Sequence, residues 1–280
     1  MTRDAHDTKT SDPNAGDPTL VTAIVAAMPD EVRPIWRRLT RAAASRIGRA
    51  RVLHGRLGRH VVVVAATGEG DKLARAAAAE LLRVFPARRL IVAGAAGALS
   101  LGLRAGALVI ADEVRRPGAE PMRPEGALIE WAARASGARP AHVITTPAIA
   151  SSVTAKAALD ERHGDGGAAV VDLESAAYVE AAIDARVPWL VLRSVADTAE
   201  ESLPAWLERC RDSTGAIRRA RVAWALLGDP RPLPRLLDMR RRVAAGGLVV
   251  ARAVLSLLDT WPAGIDIRPR GRTGAREELR

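Results

Sequence analysis

The sequence is poor in several residue types, and each shortage argues against a class of protein. A single cysteine, Cys210, leaves no partner for an internal disulfide, which agrees with a reducing compartment. No run approaches about 18 uninterrupted apolar residues, and the first residues are polar rather than charged and then apolar. We therefore expect neither a membrane span nor a secretion signal, and a cytoplasmic protein.

Aromatic residues are also scarce, at 3% of the chain, with one phenylalanine, Phe85, and one tyrosine, Tyr178. Binders of single-stranded nucleic acid stack bases on such rings. The net charge of +10 is almost wholly arginine, since the lysines are only Lys9, Lys72 and Lys156. Charge without stacking residues is weak support for nucleic-acid binding, so we expect no nucleic-acid partner.

Signatures of metal sites and serine hydrolases are missing as well. The five histidines show no spacing typical of metal ligands. No serine lies in a nucleophile-elbow pattern. We therefore expect no metal and no Ser-His-Asp chemistry.

The chain does contain short β-branched runs that alternate with Ala-rich helical patterns. The predicted strands are VTAIVAA at 21–27, HVVVVAAT at 60–67, RLIVAGA at 89–95, ALVIADEV at 107–114 and VPWLVLRSVAD at 187–197. The predicted helices are Asp71–Val84, Pro124–Ala135, Val153–His163 and Ser175–Arg186. Such alternation predicts the α/β class, as a single domain with a mixed, mostly parallel central sheet flanked by helices.

The two ends of the chain differ from this pattern. Residues 1–18 and 262–280 are polar and rich in Pro and Gly, so we predict disordered tails. Between them we place the α/β domain at 19–212 and a C-terminal helical extension at 213–261. Its last helix mixes arginines with leucines and valines over 235–258, which indicates a helix packed on the domain with a solvated basic face, or else dimerisation or peripheral membrane contact.

Glycines follow two of the predicted strands, in Thr67-Gly68-Glu69-Gly70 and in Gly94-Ala95-Ala96-Gly97. Open α/β sheets bind ligands at the carboxyl ends of their strands, and glycine lets backbone N–H groups approach an anion or a sugar. An ordinary tight turn explains such glycines equally well. Neither segment is Gly-x-Gly-x-x-Gly with an acid downstream, which argues against a nicotinamide cofactor.

Acidic residues border the most apolar runs. Asp172 lies at a helix start, where stabilisation of the helix dipole is sufficient explanation. The Glu174 carboxylate can accept two hydrogen bonds, which suits the paired hydroxyls of a ribose. Asp197 ends VPWLVLRSVAD, where partial desolvation favours a carboxyl group that holds a proton at neutral pH and donates it to a leaving group.

These segments, in this order, resemble the nucleoside phosphorylase/nucleosidase superfamily, which includes purine nucleoside phosphorylase and uridine phosphorylase. The resemblance covers about residues 20–203 and is carried by AIVAAMPDEVRPI, TGEGDKLARAAAAELL, IVAGAAGALSLGLRAGALVIADEV and VVDLESAAYVEAAIDARVPWLVLRSVAD. It implies an enzyme that cleaves an N-glycosidic bond without a cofactor, with inorganic phosphate as co-substrate in the phosphorolytic members, and commonly a homo-oligomer.

The resemblance also implies roles for individual residues. Glu174 would bind the ribose 2′ and 3′ hydroxyls and Leu173 would pack on the sugar. Asp197 would donate a proton to N7 of the departing purine, and Glu31 would orient the attacking water, as in the hydrolytic members. The remaining residues expected to bind substrate are Asp172, Gly94 and Ala95.

Phosphate binding is where the sequence departs from the superfamily. Ala95 lies where phosphorolytic members usually carry Ser or Thr, and Val92 lies where they often carry Arg. Gly68, Gly70 and Arg115 are candidates to bind phosphate instead, since backbone N–H groups and guanidinium both suit that anion. Water and phosphate both stay open as the nucleophile.

A finer resemblance concerns Thr154-Ala155-Lys156-Ala157-Ala158-Leu159, VVDLESAA and the chain from Leu203 onward. These segments are similar to hopanoid-associated phosphorylases, which remove adenine from adenosylhopane. This implies a nucleoside-lipid substrate and gives the basic last helix a use at the inner membrane surface. The alternatives are a water-soluble methylthioadenosine/S-adenosylhomocysteine-type nucleosidase, a non-catalytic nucleoside-binding protein and a basic nucleic-acid-binding protein.

Overall fold

The computed structural model describes residues 20–212 and 217–262, so nearly all of both predicted tails lies outside the described residues. The strands are β1 Thr22–Ala26, β2 Leu39–Ile47, β3 Ala50–Leu57, β4 His60–Ala66, β5 Arg89–Ala98, β6 Leu108–Arg115, β7 Arg139–Thr145, β8 Ala169–Asp172 and β9 Trp189–Asp197. The helices are α1 Pro29–Trp36, α2 Asp71–Val84, α3 Gly126–Ser136, α4 Val153–His163, α5 Ser175–Asp184, α6 Arg219–Gly228 and α7 Leu233–Thr260, with a 3₁₀ turn at Ala205–Cys210.

Local sequence explains where the helices begin and end. Helix α2 follows Gly70, whose positive φ of 97° suits glycine, and carries Asp71 in its first turn, where an acid stabilises the helix dipole. Helix α4 begins after Ser152, whose Oγ accepts the N–H of Ala155 at 3.1 Å. Both helices span the predicted residues, because these signals can be read directly from sequence.

The nine strands form one mixed sheet in the order β2-β3-β4-β1-β5-β8-β7-β6-β9. Strand β5 also pairs with β9, in parallel, so β5, β8, β7, β6 and β9 close into a ring. Strands β1, β4, β3 and β2 extend from this ring as an open sheet. The predicted α/β class with a mixed central sheet flanked by helices is confirmed, and the ring closure is an addition to it.

Helices cover both faces of the sheet. Helices α2 and α5 pack on one face, around a cluster that includes Ala78, Leu81 and Tyr178. Helices α1, α3 and α7 pack on the other face, around a cluster that includes Ile35, Leu128 and Leu257. Each fully buried aliphatic side chain contributes about 1.5–3 kcal/mol relative to an exposed one, so the sheet is fixed from both sides.

The C-terminal extension contains two helices, α6 and α7. Pro230 and Pro232 lie between them, where proline ends one helix before the next begins. The second half of α7 belongs to the core, since Val250, Val254, Leu257 and Leu258 are buried. Helix α7 is long and apolar enough to cross a membrane by length and composition, but 44% of its apolar window is buried inside the protein. Its packing is therefore that of a core helix over half its length.

Candidate active site

Two of the predicted acids, Asp197 and Glu31, lie against the last residues of β5. Gly97 pairs with Val171 of β8 on one side and with Asp197 of β9 on the other. A Cβ atom at Gly97 would lie 3.0 Å from Asp197 Oδ2, so the Asp197 carboxylate lies directly over this glycine. The absence of a side chain at Gly97 leaves the room that the acid occupies.

Glu31 reaches the same segment from the first turn of α1. Its Oε2 accepts the N–H of Met28 at 2.8 Å, which is ordinary capping of a helix start. Its Oε1 accepts the N–H of Ala95 at 2.8 Å, across 64 residues of sequence, which capping does not explain. The side chain is buried, and burial raises the pKa of Glu31. The positive charge of Arg193 lowers this pKa, but its effect is smaller than that of burial.

Glu174 lies between β8 and α5 and is also buried. Its Oε1 accepts the N–H of Gly70 at 2.8 Å. This bond joins the acid after β8 to the glycine segment after β4, both of which the sequence indicates as parts of the site. Burial, and then the charge of Asp172, raise the pKa of Glu174 to about 8. Leu173, the residue before it, is half-buried.

Arg193 is the central cation of this cluster, and the sequence reasoning did not select it. It is 2% exposed and forms an ion pair of 2.6 Å with Asp172. It also donates to the carbonyl oxygen of Ala93 at 3.0 Å. Its signal in the sequence is a charged residue inside the otherwise apolar run of β9, because a buried guanidinium must have counter-charges close by.

Asp172 is held by several contacts within the protein. Both of its oxygens are engaged within the protein, by Arg193, by the N–H of Ser175 at 3.2 Å and by Thr145 Oγ1 at 2.8 Å. These contacts hold Arg193 and the start of α5 in place. The expected role of Asp172 in substrate binding stays a prediction.

Asp197 has a cationic partner that the sequence reasoning also missed. Lys156 of α4 forms an ion pair with Asp197 Oδ2, and both side chains are buried. Burial raises the pKa of Asp197, and the hydrogen bond and charge of Lys156 act in the opposite direction. The cluster thus contains three acids, Glu31, Glu174 and Asp197, whose carboxyl pKa values are all raised by burial.

The three candidates for phosphate binding are already engaged. Gly68 donates its N–H to a carbonyl oxygen at the end of β1 at 2.9 Å, and Gly70 donates to Glu174. Arg115 is shared among several partners that include Asp165, at 2.6 Å. Its described contacts do not include Glu31, Glu174 or Asp197. Each candidate thus has a partner within the protein, and its role in phosphate binding stays a prediction.

A cavity of about 270 Å³ lies apart from the acids, beside β3 and β4. It is lined by residues that include His54, Arg56 and Phe85, and by none of the predicted site residues. Within residues 20–212 and 217–262, no three His, Cys, Asp or Glu side chains are grouped as a metal site would need.

The family profile described as "Phosphorylase superfamily" matches residues 21–227, more than half of the 280-residue chain. The chain belongs to the phosphorylase superfamily. It is thereby an enzyme of the nucleoside phosphorylase or nucleosidase class, and the prediction of this superfamily is confirmed. No curated protein sequence matches the chain.

Solved structures of the superfamily resemble this fold along nearly their whole length. The methylthioadenosine/S-adenosylhomocysteine nucleosidase of Neisseria meningitidis, in complex with methylthio-immucillin-A, is 20% identical with a TM-score of 0.68, over 86% of this chain and 99% of that chain. The S-adenosylhomocysteine nucleosidase of Streptococcus pyogenes is 17% identical with a TM-score of 0.70, over 89% and 100%. The futalosine hydrolase of Helicobacter pylori is 16% identical with a TM-score of 0.68, over 86% and 98%. At these identities, the likeness shows the fold.

Proposed function

We propose that this superfamily member hydrolyses the N-glycosidic bond of an adenosine-type nucleoside. The observation that carries the proposal is a set of three buried acids: Glu31 and Asp197 approach the last residues of β5, and Glu174 lies close enough to Glu31 to feel its charge. Two of them bond backbone N–H groups of Ala95 and Gly70, and the third lies over Gly97. Elevated pKa values are typical of residues that exchange protons during catalysis.

Each acid has one task in the proposed reaction. Asp197 gives its proton to the base, the C1′–N bond breaks with its electron pair on the base, and a cationic ribosyl group is left. Glu174 accepts hydrogen bonds from the ribose hydroxyls, and Glu31 takes a proton from the water that attacks C1′. General acid catalysis of this kind contributes about 10²–10⁴-fold to the rate.

The geometry favours water over phosphate as the nucleophile. Ala95 offers no hydroxyl, and its N–H, which could bind a phosphate oxygen, already donates to Glu31. The guanidinium of Arg193 is neutralised by Asp172. Lys156, the other described cation of the cluster, is paired with Asp197. A phosphate dianion would therefore enter among carboxyl groups whose described cations are already paired, and its desolvation would cost more than that of a neutral water molecule.

The leading substrate within this class is adenosylhopane. The finer sequence resemblance supports it, and so do exposed apolar side chains that we call the α6–α7 apolar residues, Trp224 and Leu227 of α6 and Leu233 and Leu237 of α7. Trp224 and Leu227 are 75% and 77% exposed. Arginines flank these residues in sequence, and apolar side chains beside cations are typical of helices that lie on anionic membranes.

The proposal therefore places the protein in the cytoplasm, peripherally at the inner membrane surface, as a homo-oligomer. The alternative substrate is a water-soluble nucleoside such as methylthioadenosine. The likeness to nucleosidases crystallised with methylthioadenosine analogues favours it. Both substrates present the same adenine and ribose to the three acids and differ in the 5′ substituent.

A substrate panel tests the proposal. Adenine release is measured from adenosine, methylthioadenosine and adenosylhopane in liposomes, with and without phosphate. We expect release without phosphate and the highest kcat/KM on the lipid. A preference for methylthioadenosine would establish the alternative substrate. Absence of release from all three would contradict the proposed function and favour a non-catalytic nucleoside-binding or nucleic-acid-binding protein.

A further inference from the structure

Lys156 has an environment that packing alone does not account for. It is 1% exposed, and its Nζ contacts the Asp197 carboxylate, the carbonyl oxygen of Thr198 at 2.6 Å and that of Glu201 at 2.9 Å. An ammonium group has three protons to donate, so all three are used within residues 197–201. A buried charge destabilises the fold unless it is paired, so Lys156 and the segment that carries Asp197 depend on each other.

A second cation closes the same segment from the other side. Glu201 Oε2 accepts the N–H of Thr198 at 3.0 Å, and Arg242 of α7 donates to both oxygens of Glu201 at 2.8 Å. The charged groups that face Asp197 are therefore Lys156 from α4, Glu201 from its own segment and Arg242 from α7. Among these three, Lys156 is the group that contacts the Asp197 carboxylate.

We propose that Lys156 is a positioning residue for Asp197, which fixes the carboxyl group over Gly97 and stabilises the carboxylate left behind when the proton passes to the leaving base. This inference rests on the proposed function. In the step, the Asp197 O–H bond breaks, an N–H bond forms on the base, and the electron pair of the C1′–N bond moves to the base. Lys156 keeps all its protons.

The physical reason is a balance of two opposed effects on one acid. Burial raises the pKa of Asp197 and would by itself make the carboxyl group too reluctant to give up its proton. The Lys156 ammonium stabilises the ionised form and acts against burial. A general acid is most effective when its pKa lies near the working pH. The ion pair of Lys156 and Asp197 keeps the pKa of Asp197 from rising as far as burial alone would raise it.

The test compares Lys156→Met and Lys156→Arg on two kinds of substrate. Adenine departs from a nucleoside only with help from a proton, whereas nitrophenolate departs from p-nitrophenyl ribofuranoside without it. We expect Lys156→Met to lower kcat for adenine release at least about tenfold, as part of the general-acid contribution. It should change nitrophenol release less than about threefold, and Lys156→Arg should recover most of the loss. Lys72→Met, on the exposed face of α2, is the matched control.

The pH profile supplies a readout that a merely structural role would not move. Asp197 must be protonated to act, so activity falls as pH rises through its pKa. Without the ammonium this alkaline limb should move to higher pH. Equal losses on both substrates, or an unmoved alkaline limb, would overturn the inference.

Failure of the proposed function would look different from failure of this inference. If the wild-type protein releases neither leaving group, the proposed function fails. The Asp197 carboxyl can then still be titrated by carbon NMR in the wild type and in Lys156→Met. A higher pKa in the variant supports the pairing, and an unchanged pKa overturns it. If Lys156→Met does not fold, Lys156→Gln removes the charge and keeps a hydrogen-bond donor for the same comparison.

Discussion

The stability of the protein should depend on pH through one buried acid, Glu174. Its pKa is raised from 4.5 to about 8 by burial and by Asp172. Between these values the folded protein holds a proton that the unfolded chain has lost. The free energy of unfolding therefore falls as pH rises through this window, and it levels off above about pH 8. The loss comes from ionisation of Glu174 in the unfolded chain, and it stops once the folded protein also releases the proton.

The size of the effect follows from the shift. One pKa unit is worth about 1.4 kcal/mol, so the Glu174 proton accounts for a loss of about 3 kcal/mol between about pH 6 and about pH 9. The variant Glu174→Gln keeps an oxygen for the Gly70 N–H but has no proton to lose. Compared with the wild type, it should gain about 3 kcal/mol in relative stability over that range.

Urea unfolding at the two pH values measures this difference. Other titrating groups contribute equally to the wild type and the variant and cancel in the comparison. The matched control is Glu161→Gln, an exposed glutamate on α4, which should follow the wild type at both pH values. A difference between wild type and Glu174→Gln that is the same at both pH values would refute the reasoning, because burial would then not have raised the pKa of Glu174.

Three further variants test other parts of the account. Alanine at Gly94 would overlap the Arg193 guanidinium, so kcat/KM for adenine release should fall about 100-fold, whereas Gly126→Ala, in open space, should keep full activity. Alanine at Gly246 of α7 would lie 2.8 Å from the Ser194 Cβ, so urea unfolding should show a loss of about 1–3 kcal/mol. Serine at both Trp224 and Leu227 of the α6–α7 apolar residues should weaken sedimentation with anionic vesicles and leave adenosine cleavage unchanged. Undiminished sedimentation would contradict membrane contact through these residues.

The sequence predicts the parts of the fold that repeat a hydrophobic pattern. Strands β1, β4, β5, β6 and β9 are β-branched runs and lie where they are predicted, to within a few residues. Strand β2 was missed because it is an edge strand whose alanines and arginines are mostly exposed, so burial imposes no alternation on it. The ring closure through β5 and β9 was missed because strand pairing is a property of the whole sheet.

The acids of the candidate site could be predicted, and their cations could not. Asp197 and Glu174 can be recognised in the sequence because each follows an apolar run. Lys156 lies on an ordinary helical pattern, and its burial depends on contact with a segment 41 residues away. Its only sequence signal is that lysine is rare in a chain whose cations are almost all arginine.

The most direct test of the central claim is adenine release by the wild-type protein and by Asp197→Asn, with and without phosphate, with analysis of the sugar product. The account predicts release from the wild type at the same rate in both conditions, free ribosyl product with no sugar phosphate, and a loss of at least about 100-fold in Asp197→Asn. A rate that requires phosphate and yields ribose 1-phosphate would contradict the assignment of water as nucleophile. Full activity of Asp197→Asn would contradict the assignment of the acid.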